Sequence, residues 1–239
     1  MPSGPRSTAA KVLALSRTDL FEGLASADLE RMSDFARAMA FRRGEVIFRQ
    51  GDLAQAIYVI ELGRVKISTG SPEGREVVLN LLGAPCVFGE VALIDGGERT
   101  ADATADDPVS LLALDRRDII PFLEGQPGLM LRMLEAMTAR LRWVSARYED
   151  AIFLDLPARM AKRLLLLSDQ FGIDTPRGRR LLADLPQREL AGHMGVSRET
   201  VNRLMQDWLG RGLVENDRGA LILLDQAALG RIAGAKPKG

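Results

Sequence analysis

Hydrophobic residues change their spacing several times along the chain. In residues 11–36 they follow short helical patterns. Leu20 and Phe21 precede Ser26-Ala27-Asp28-Leu29-Glu30, where Ser26 is expected to cap a helix with Leu29, Met32 and Phe35 on one face. From Ala38 to Leu114 the period becomes two. Val46-Ile47-Phe48, Ile57-Tyr58-Val59-Ile60, Val65-Lys66-Ile67, Val77-Val78-Leu79-Asn80-Leu81 and Leu111-Leu112-Ala113-Leu114 read as strands, punctuated by Gly44, Gly51, Gly63, Gly74 and Gly83. A repeat of roughly ten residues predicts an antiparallel barrel or jelly roll.

From about Pro127 to Phe153 the pattern turns helical. Met130, Leu134, Met137, Leu141, Val144, Tyr148 and Ala151 recur at alternating intervals of four and three. Such a seam buries itself best against a copy of itself, and its length favours a homodimer over packing on the barrel alone. Asp155-Leu156-Pro157 interrupts it: Asp155 can cap a new helix and Pro157 fits a first turn. Leu154 to Leu156 therefore reads as a hinge. Beyond it the pattern predicts a helix to about Phe171, a basic loop (Arg177, Arg179, Arg180), two more helices, and a hairpin around Asn216-Asp217-Arg218-Gly219. The expected class is α+β, with a barrel domain over 11–126, a dimerisation helix over 127–154 and a helical domain with a wing-like hairpin over 155–239. The first ten residues, rich in Pro, Ser, Gly and Ala, are expected to be mobile.

Charge adds a partner to this outline. Lys+Arg and Asp+Glu both number 32. Yet residues 156–239 hold 14 basic against 9 acidic side chains, a surplus that suits a nucleic-acid module joined to an acidic sensor. Cys86 and His193 are the only cysteine and histidine. That excludes an intrachain disulfide and Cys-rich zinc or iron–sulfur sites, and leaves little for a His-based metal centre or a Ser–His–Asp triad. No apolar run is long enough to span a bilayer, and Met1 to Ala10 lacks a signal-peptide core, so no membrane association and a cytoplasmic location are expected.

Two motifs carry chemistry. The first runs Phe88-Gly89-Glu90-Val91-Ala92-Leu93-Ile94-Asp95-Gly96-Gly97-Glu98-Arg99-Thr100-Ala101. A turn at Gly89 that starts a short helix points free amides at an anion, and Arg99 can supply the forked charge that a phosphate needs. Glu90 suits a ribose hydroxyl or the orientation of an arginine. Singly, these residues also fit a plain turn with a surface Glu90–Arg99 pair.

The second motif is Gln187-Arg188-Glu189-Leu190-Ala191-Gly192-His193-Met194-Gly195-Val196-Ser197-Arg198-Glu199-Thr200-Val201-Asn202-Arg203-Leu204. Small Ala191, turn Gly195 and apolar Leu190, Val201 and Leu204 have helix-turn-helix spacing. Ser197 caps the second helix, and Glu199, Thr200 and Arg203 lie on its exposed N-terminal side. A purely structural helical hairpin is the weaker reading.

The first motif resembles the phosphate-binding cassette of cyclic-nucleotide-binding domains. From about Leu20 to Leu224 the chain resembles the family of the cAMP receptor protein and the fumarate–nitrate regulator. The resemblance implies that Phe88, Gly89, Glu90, Val91, Ala92, Arg99 and Thr100 form the phosphate and ribose site. It also places Arg140 near the phosphate, and Val144 and Ser145 against the base. Ser197-Arg198-Glu199-Thr200-Val201 and Arg203 match the receptor branch's recognition helix. A TGTGA-like half-site read by Arg198, Glu199 and Arg203 follows, with Gln187, Arg188 and Thr200 on phosphates. The implied partners are double-stranded DNA, a second copy of the chain and RNA polymerase. The implied effector is cAMP or cGMP, with no metal, haem or iron–sulfur cluster. Val144 departs from the family's hydrogen-bonding threonine, and Thr100 replaces the receptor's serine at a position where cGMP-selective domains use threonine. The base is therefore open between cAMP and cGMP. A regulator that acts on DNA without a nucleotide is the rival reading; an enzyme is not expected, for want of a nucleophile with a base or a Walker-type loop.

Overall fold

The computed structural model describes residues 7–70, 76–181, 187–217 and 219–234. The chain separates into two compact units, one drawn from residues 1–70 and 78–142, the other from 71–77 and 143–239.

The first unit opens with α1 (Thr8–Ser16) and α2 (Ser26–Phe35). Thr8 to Ala10, expected to be mobile, instead form the first turn of α1, which Ser7 caps by accepting from the Ala10 amide. Ser26 does not cap α2. The helix starts at Ser26 itself, and Ala25 holds the cap position with no side-chain bond. Lys11 ties the two helices together, its ammonium donating to the Ser33 and Ala36 carbonyls at the end of α2. That satisfies acceptors a helix end leaves open.

Strands β1 (Arg37–Phe41), β2 (Val46–Phe48), β3 (Ala56–Leu62), β4 (Arg64–Gly70), β5 (Glu76–Gly83) and β6 (Cys86–Phe88) follow. After the short helix α3 (Val91–Asp95) come β7 (Asp102–Ala105), β8 (Val109–Asp115) and α4 (Arg116–Glu124). They build two four-stranded sheets, ordered β1-β8-β3-β6 and β2-β7-β4-β5. The described pairings within these sheets are antiparallel, as the two-residue period predicts. Ile60, Val65, Phe88, Ala103 and Leu111 form a buried cluster inside the roll. A second cluster joins Leu15, Phe21 and Met32 of the N-terminal segment to Val59, Leu112 and Leu114 of the sheet and to Leu129 and Met133.

Leu129 and Met133 belong to α5 (Pro127–Phe153), a 27-residue helix at the predicted place. They are its buried residues; Met130, Leu134, Leu141, Val144 and Tyr148 of the heptad seam are exposed, and Met137 is half-buried.

The second unit contains α6 (Leu156–Phe171), capped by the Asp155 carboxylate through the Ala158 amide at 2.9 Å, with Pro157 in the first turn. Then come β9 (Gly172–Thr175), β10 (Gly178–Leu181), α7 (Gln187–Met194), α8 (Arg198–Gly210), β11 (Val214–Asp217), β12 (Ala220–Leu223) and α9 (Gln226–Ile232). The strands form one sheet in the order β11-β12-β10-β9. The predicted basic loop is in fact a hairpin with two of its arginines engaged, while the Arg180 Nε is buried without a hydrogen-bond partner. Arg177 pairs with Glu215 and Asp217, and Arg179 with Asp174 and the Ser168 carbonyl. The hairpin near Asn216 is formed by β11 and β12; its Arg218 lies outside the described residues.

Candidate functional site

The first motif folds around one buried guanidinium. Strand β6 ends at Phe88, and Gly89 turns the chain with φ +83° into α3. A Cβ at Gly89 would stand 2.7 Å from an Arg99 nitrogen, so both the backbone conformation and the space demand glycine here. Arg99 is 4% exposed. It donates to the Gly89 carbonyl at 2.7 Å and to the Ala56 carbonyl at 2.6 Å. Its guanidinium carbon sits 4.1 Å from the centre of the Phe48 ring and 5.6 Å from that of Tyr58. Tyr58 stacks on both Phe48 and Phe88, with ring centres 5.8 and 5.2 Å apart. Burial lowers the Arg99 pKa from its ordinary value, while Tyr58, Asp52 and Glu90 oppose that shift. A guanidinium keeps its charge regardless.

Glu90 does not pair with Arg99. Its carboxylate lies 3.7 Å from Arg140 on α5, the position at which resemblance places a phosphate-directed arginine. Phe48, Ile67, Leu82, Phe88, Gly89, Glu90, Val91, Ala92, Arg99, Thr100, Ala101 and Arg140 line one pocket of about 30 Å³. That volume admits a water or two at the base of the cassette. Eight of the ten predicted ligand residues thus converge. The other two, Val144 and Ser145, are exposed on α5 within the second compact unit. Phe48, Tyr58, Ile67 and Leu82 were not anticipated. Their signal was the two-residue period, which puts alternate strand residues inside a roll, but which inward residues meet the cassette depends on pairing between distant strands.

The second motif forms the predicted helix pair. Gly195 takes φ +68° between α7 and α8, and the Val196 amide donates to the Ala191 carbonyl across the turn. Leu190, Ala191 and Met194 are buried with Val201, Met205 and Trp208. Ser197 caps α8, its hydroxyl accepting from the Thr200 amide at 3.3 Å. Arg198, Glu199 and Arg203 are exposed, and Thr200 is half-exposed. Hydrogen bonds from its own amide and from Ser197 hold the Glu199 pKa below the usual carboxylate range. It therefore remains an acceptor at neutral pH. Gln187 and Arg188 start α7; their side chains lie outside the described residues.

Two family models match the chain. Residues 38–126 match the cyclic nucleotide-binding domain family and residues 158–232 the Crp-like helix-turn-helix domain family. The CRP-like cAMP-activated global transcriptional regulator of Mycobacterium tuberculosis is 32% identical over 92% of this chain and 98% of its own. The cyclic AMP receptor protein of Thermus thermophilus is 33% identical over 90% and 96%. A CRP-family transcriptional regulator of the same organism superposes with a TM-score of 0.71 at 27% identity, covering 84% of this chain and 98% of that one. The chain belongs to the Crp/Fnr family, as a cyclic-nucleotide-binding, DNA-binding transcription regulator and not an enzyme. No described helix is long and apolar enough to cross a membrane.

Proposed function

We propose that a cyclic purine nucleotide, cAMP in the first place, is the effector. Its binding repositions the helix-turn-helix of a homodimer onto a palindromic TGTGA-like operator, where the dimer acts on RNA polymerase. The observation that carries this reading is the state of Arg99. Its charge is buried against two main-chain carbonyls and two ring faces, with no carboxylate in direct contact among the described residues, next to the amides that open α3. Such a group has a strong preference for an anion. Two relatives are named for cAMP, which favours adenine. In this reading the phosphate meets Arg99 and the amides after Gly89, and Glu90 accepts from the ribose hydroxyl.

A second reading, cGMP, is favoured by Thr100. It lines the pocket directly after Arg99, with a hydroxyl where cGMP-selective domains of this family contact guanine. Calorimetric titration of the purified protein with cAMP and with cGMP separates the two. Arg99→Ala should cost on the order of 2–5 kcal/mol for the preferred nucleotide, because a desolvated phosphate loses its charged partner. Equal binding by parent and variant overturns the site, and no binding of either nucleotide by the parent overturns the effector.

A further inference from the structure

Helix α3 is bracketed by two glycines, each with an arginine against it. At its entry Gly89 takes φ +83°, with the Arg99 guanidinium alongside. At its exit Gly96 takes φ +72° as the C-cap. A Cβ placed on Gly96 would lie 3.4 Å from Nη2 of Arg116 and 3.7 Å from its guanidinium carbon; the closest atoms beyond the adjoining chain all belong to Arg116. This arginine is the first residue of α4, well outside the motif, and it does not line the pocket.

The main chain fixes where Arg116 starts. Its amide donates to the Gln55 carbonyl at 2.7 Å. The residues on either side of Gln55 hold the cassette: the Ala54 amide donates to the Gly97 carbonyl at 3.3 Å, and the Arg99 side chain donates to the Ala56 carbonyl at 2.6 Å. A little upstream, the Arg99 amide donates to the Asp52 carbonyl at 2.7 Å and the Gly51 amide to the Arg99 carbonyl at 2.9 Å. One strip of backbone, Gly51 to Ala56, therefore carries both the root of Arg116 and the arginine of the cassette. From that strip the Arg116 side chain reaches the far end of α3.

A helix of five residues cannot hold itself. Its nucleus costs more than its few internal bonds return, and its last carbonyls have no partner within it. A cation at that end is favourable. With its exit held, so short a helix moves as one piece, and the amides and Glu90 at its entry keep their places.

We propose that Arg116 is a positioning residue of the nucleotide site. Resting on the reading of the cassette as a cyclic-phosphate site, it clamps the exit of α3 and so sets the phosphate cradle at the entry without touching the nucleotide. Arg116 is half-buried and also lines an open groove with Arg37, Gln55 and Arg117, so shortening it opens onto solvent and leaves the core intact.

The test titrates the full chain with cAMP and with cGMP by calorimetry. Arg116→Ala should raise the Kd of the better-bound nucleotide roughly three- to thirtyfold, while the thermal midpoint without nucleotide stays within about 2 °C of the parent's. Arg116→Lys, which keeps a charge at the helix end, should recover most of the affinity. Arg116→Gln, which keeps the length, replaces the alanine variant if that one does not fold. At saturation the phosphorus NMR resonance of the bound nucleotide should move in the variant that lacks the charge, because the cradle around the phosphate has shifted. Unchanged affinity overturns the proposal, and so does weaker binding with the parent's phosphorus resonance. A midpoint that falls together with affinity, with no recovery by lysine, assigns Arg116 to general packing and overturns it too. A parent that binds neither nucleotide overturns the reading of the cassette itself, and the positioning role with it.

Discussion

The guanidinium carbon of Arg99 lies 4.1 Å from the ring centre of Phe48, on a strand of the opposite sheet from the one that leads into the cassette. The ring face supplies partial negative charge without forming an ion pair, so the arginine is held in place while its full charge stays available. Phe48→Leu keeps the apolar volume and removes the ring. It should weaken cyclic-nucleotide binding by about 1–2 kcal/mol, roughly five- to thirtyfold in Kd. Phe48→Tyr should restore most of the loss. Calorimetry of the double variant with Arg99→Ala checks the mechanism: Phe48→Leu should add little once the arginine is gone.

Leu141 is 66% exposed on α5, in register with exposed Leu134 and Tyr148. Leu141→Asp places a charge in the proposed seam between two copies and should give monomers in sedimentation velocity, with or without nucleotide. An unchanged dimer places the interface elsewhere.

By its resemblance to the family, Val144 is proposed to take the place of a threonine that contacts the base. Val144→Thr should raise the ratio of cAMP to cGMP affinity, measured by paired titrations. A parent that already excludes cGMP by several orders of magnitude would place selectivity on other residues.

Exposed Arg203 on α8 is suited to guanine O6 and N7. Arg203→Ala should cost roughly 1–3 kcal/mol at its matched base and relax the preference there. Arg188→Ala should weaken all sequences alike and lower the salt dependence. Selection from random duplexes with nucleotide present reads both effects, and enriched sites without an inverted repeat contradict a two-fold reader.

Cys86 has a thiol pushed up to about 11 from 9.0, chiefly by burial, with Glu90 adding and Arg140 opposing. The folded thiol therefore stays protonated between about pH 9 and pH 11, where the unfolded chain has already lost the proton. Deprotonation favours the unfolded state across this window, so this residue's contribution to stability falls as pH rises through it. Alkylation of the native protein by iodoacetamide should be slow at about pH 8 and accelerate toward pH 11, and Cys86→Ala should lose less stability than the parent over the same range.

Strong local periods made much of this fold legible. The apolar run Ile57–Ile60, whose two faces enter two buried clusters, and the heptads of α5 each lie within one element, which a single sequence displays. Strand β10 was hidden because Arg179 and Arg180 look like a solvated loop; only the folded hairpin brings Asp174 and the Ser168 carbonyl to Arg179. The cap of α2 was misplaced by one residue, since Ser26 satisfies the sequence rule while Ala25 occupies the position. The cassette was readable because its turn, short helix and arginine lie within a dozen residues. Phe48 and Tyr58 were not, because they reach Arg99 from strands 51 and 41 positions earlier, and nothing local marks that meeting.

Helix α5 buries Met133 in the sensor core and exposes Leu134, the next residue, to whatever lies outside. Adjacent helical positions point about 100° apart, and an unbroken helix transmits rotation along its length with little slack. The two faces are consequently geared together. Inserting one residue between Met133 and Leu141 would swing the lower seam by about 100° while leaving the docked end untouched. By the same gearing, a small roll of the helix at Leu129 and Met133 re-aims Leu141 by the same angle. The sensor and the proposed assembly surface then share one rotational coordinate, with α5 as its axle.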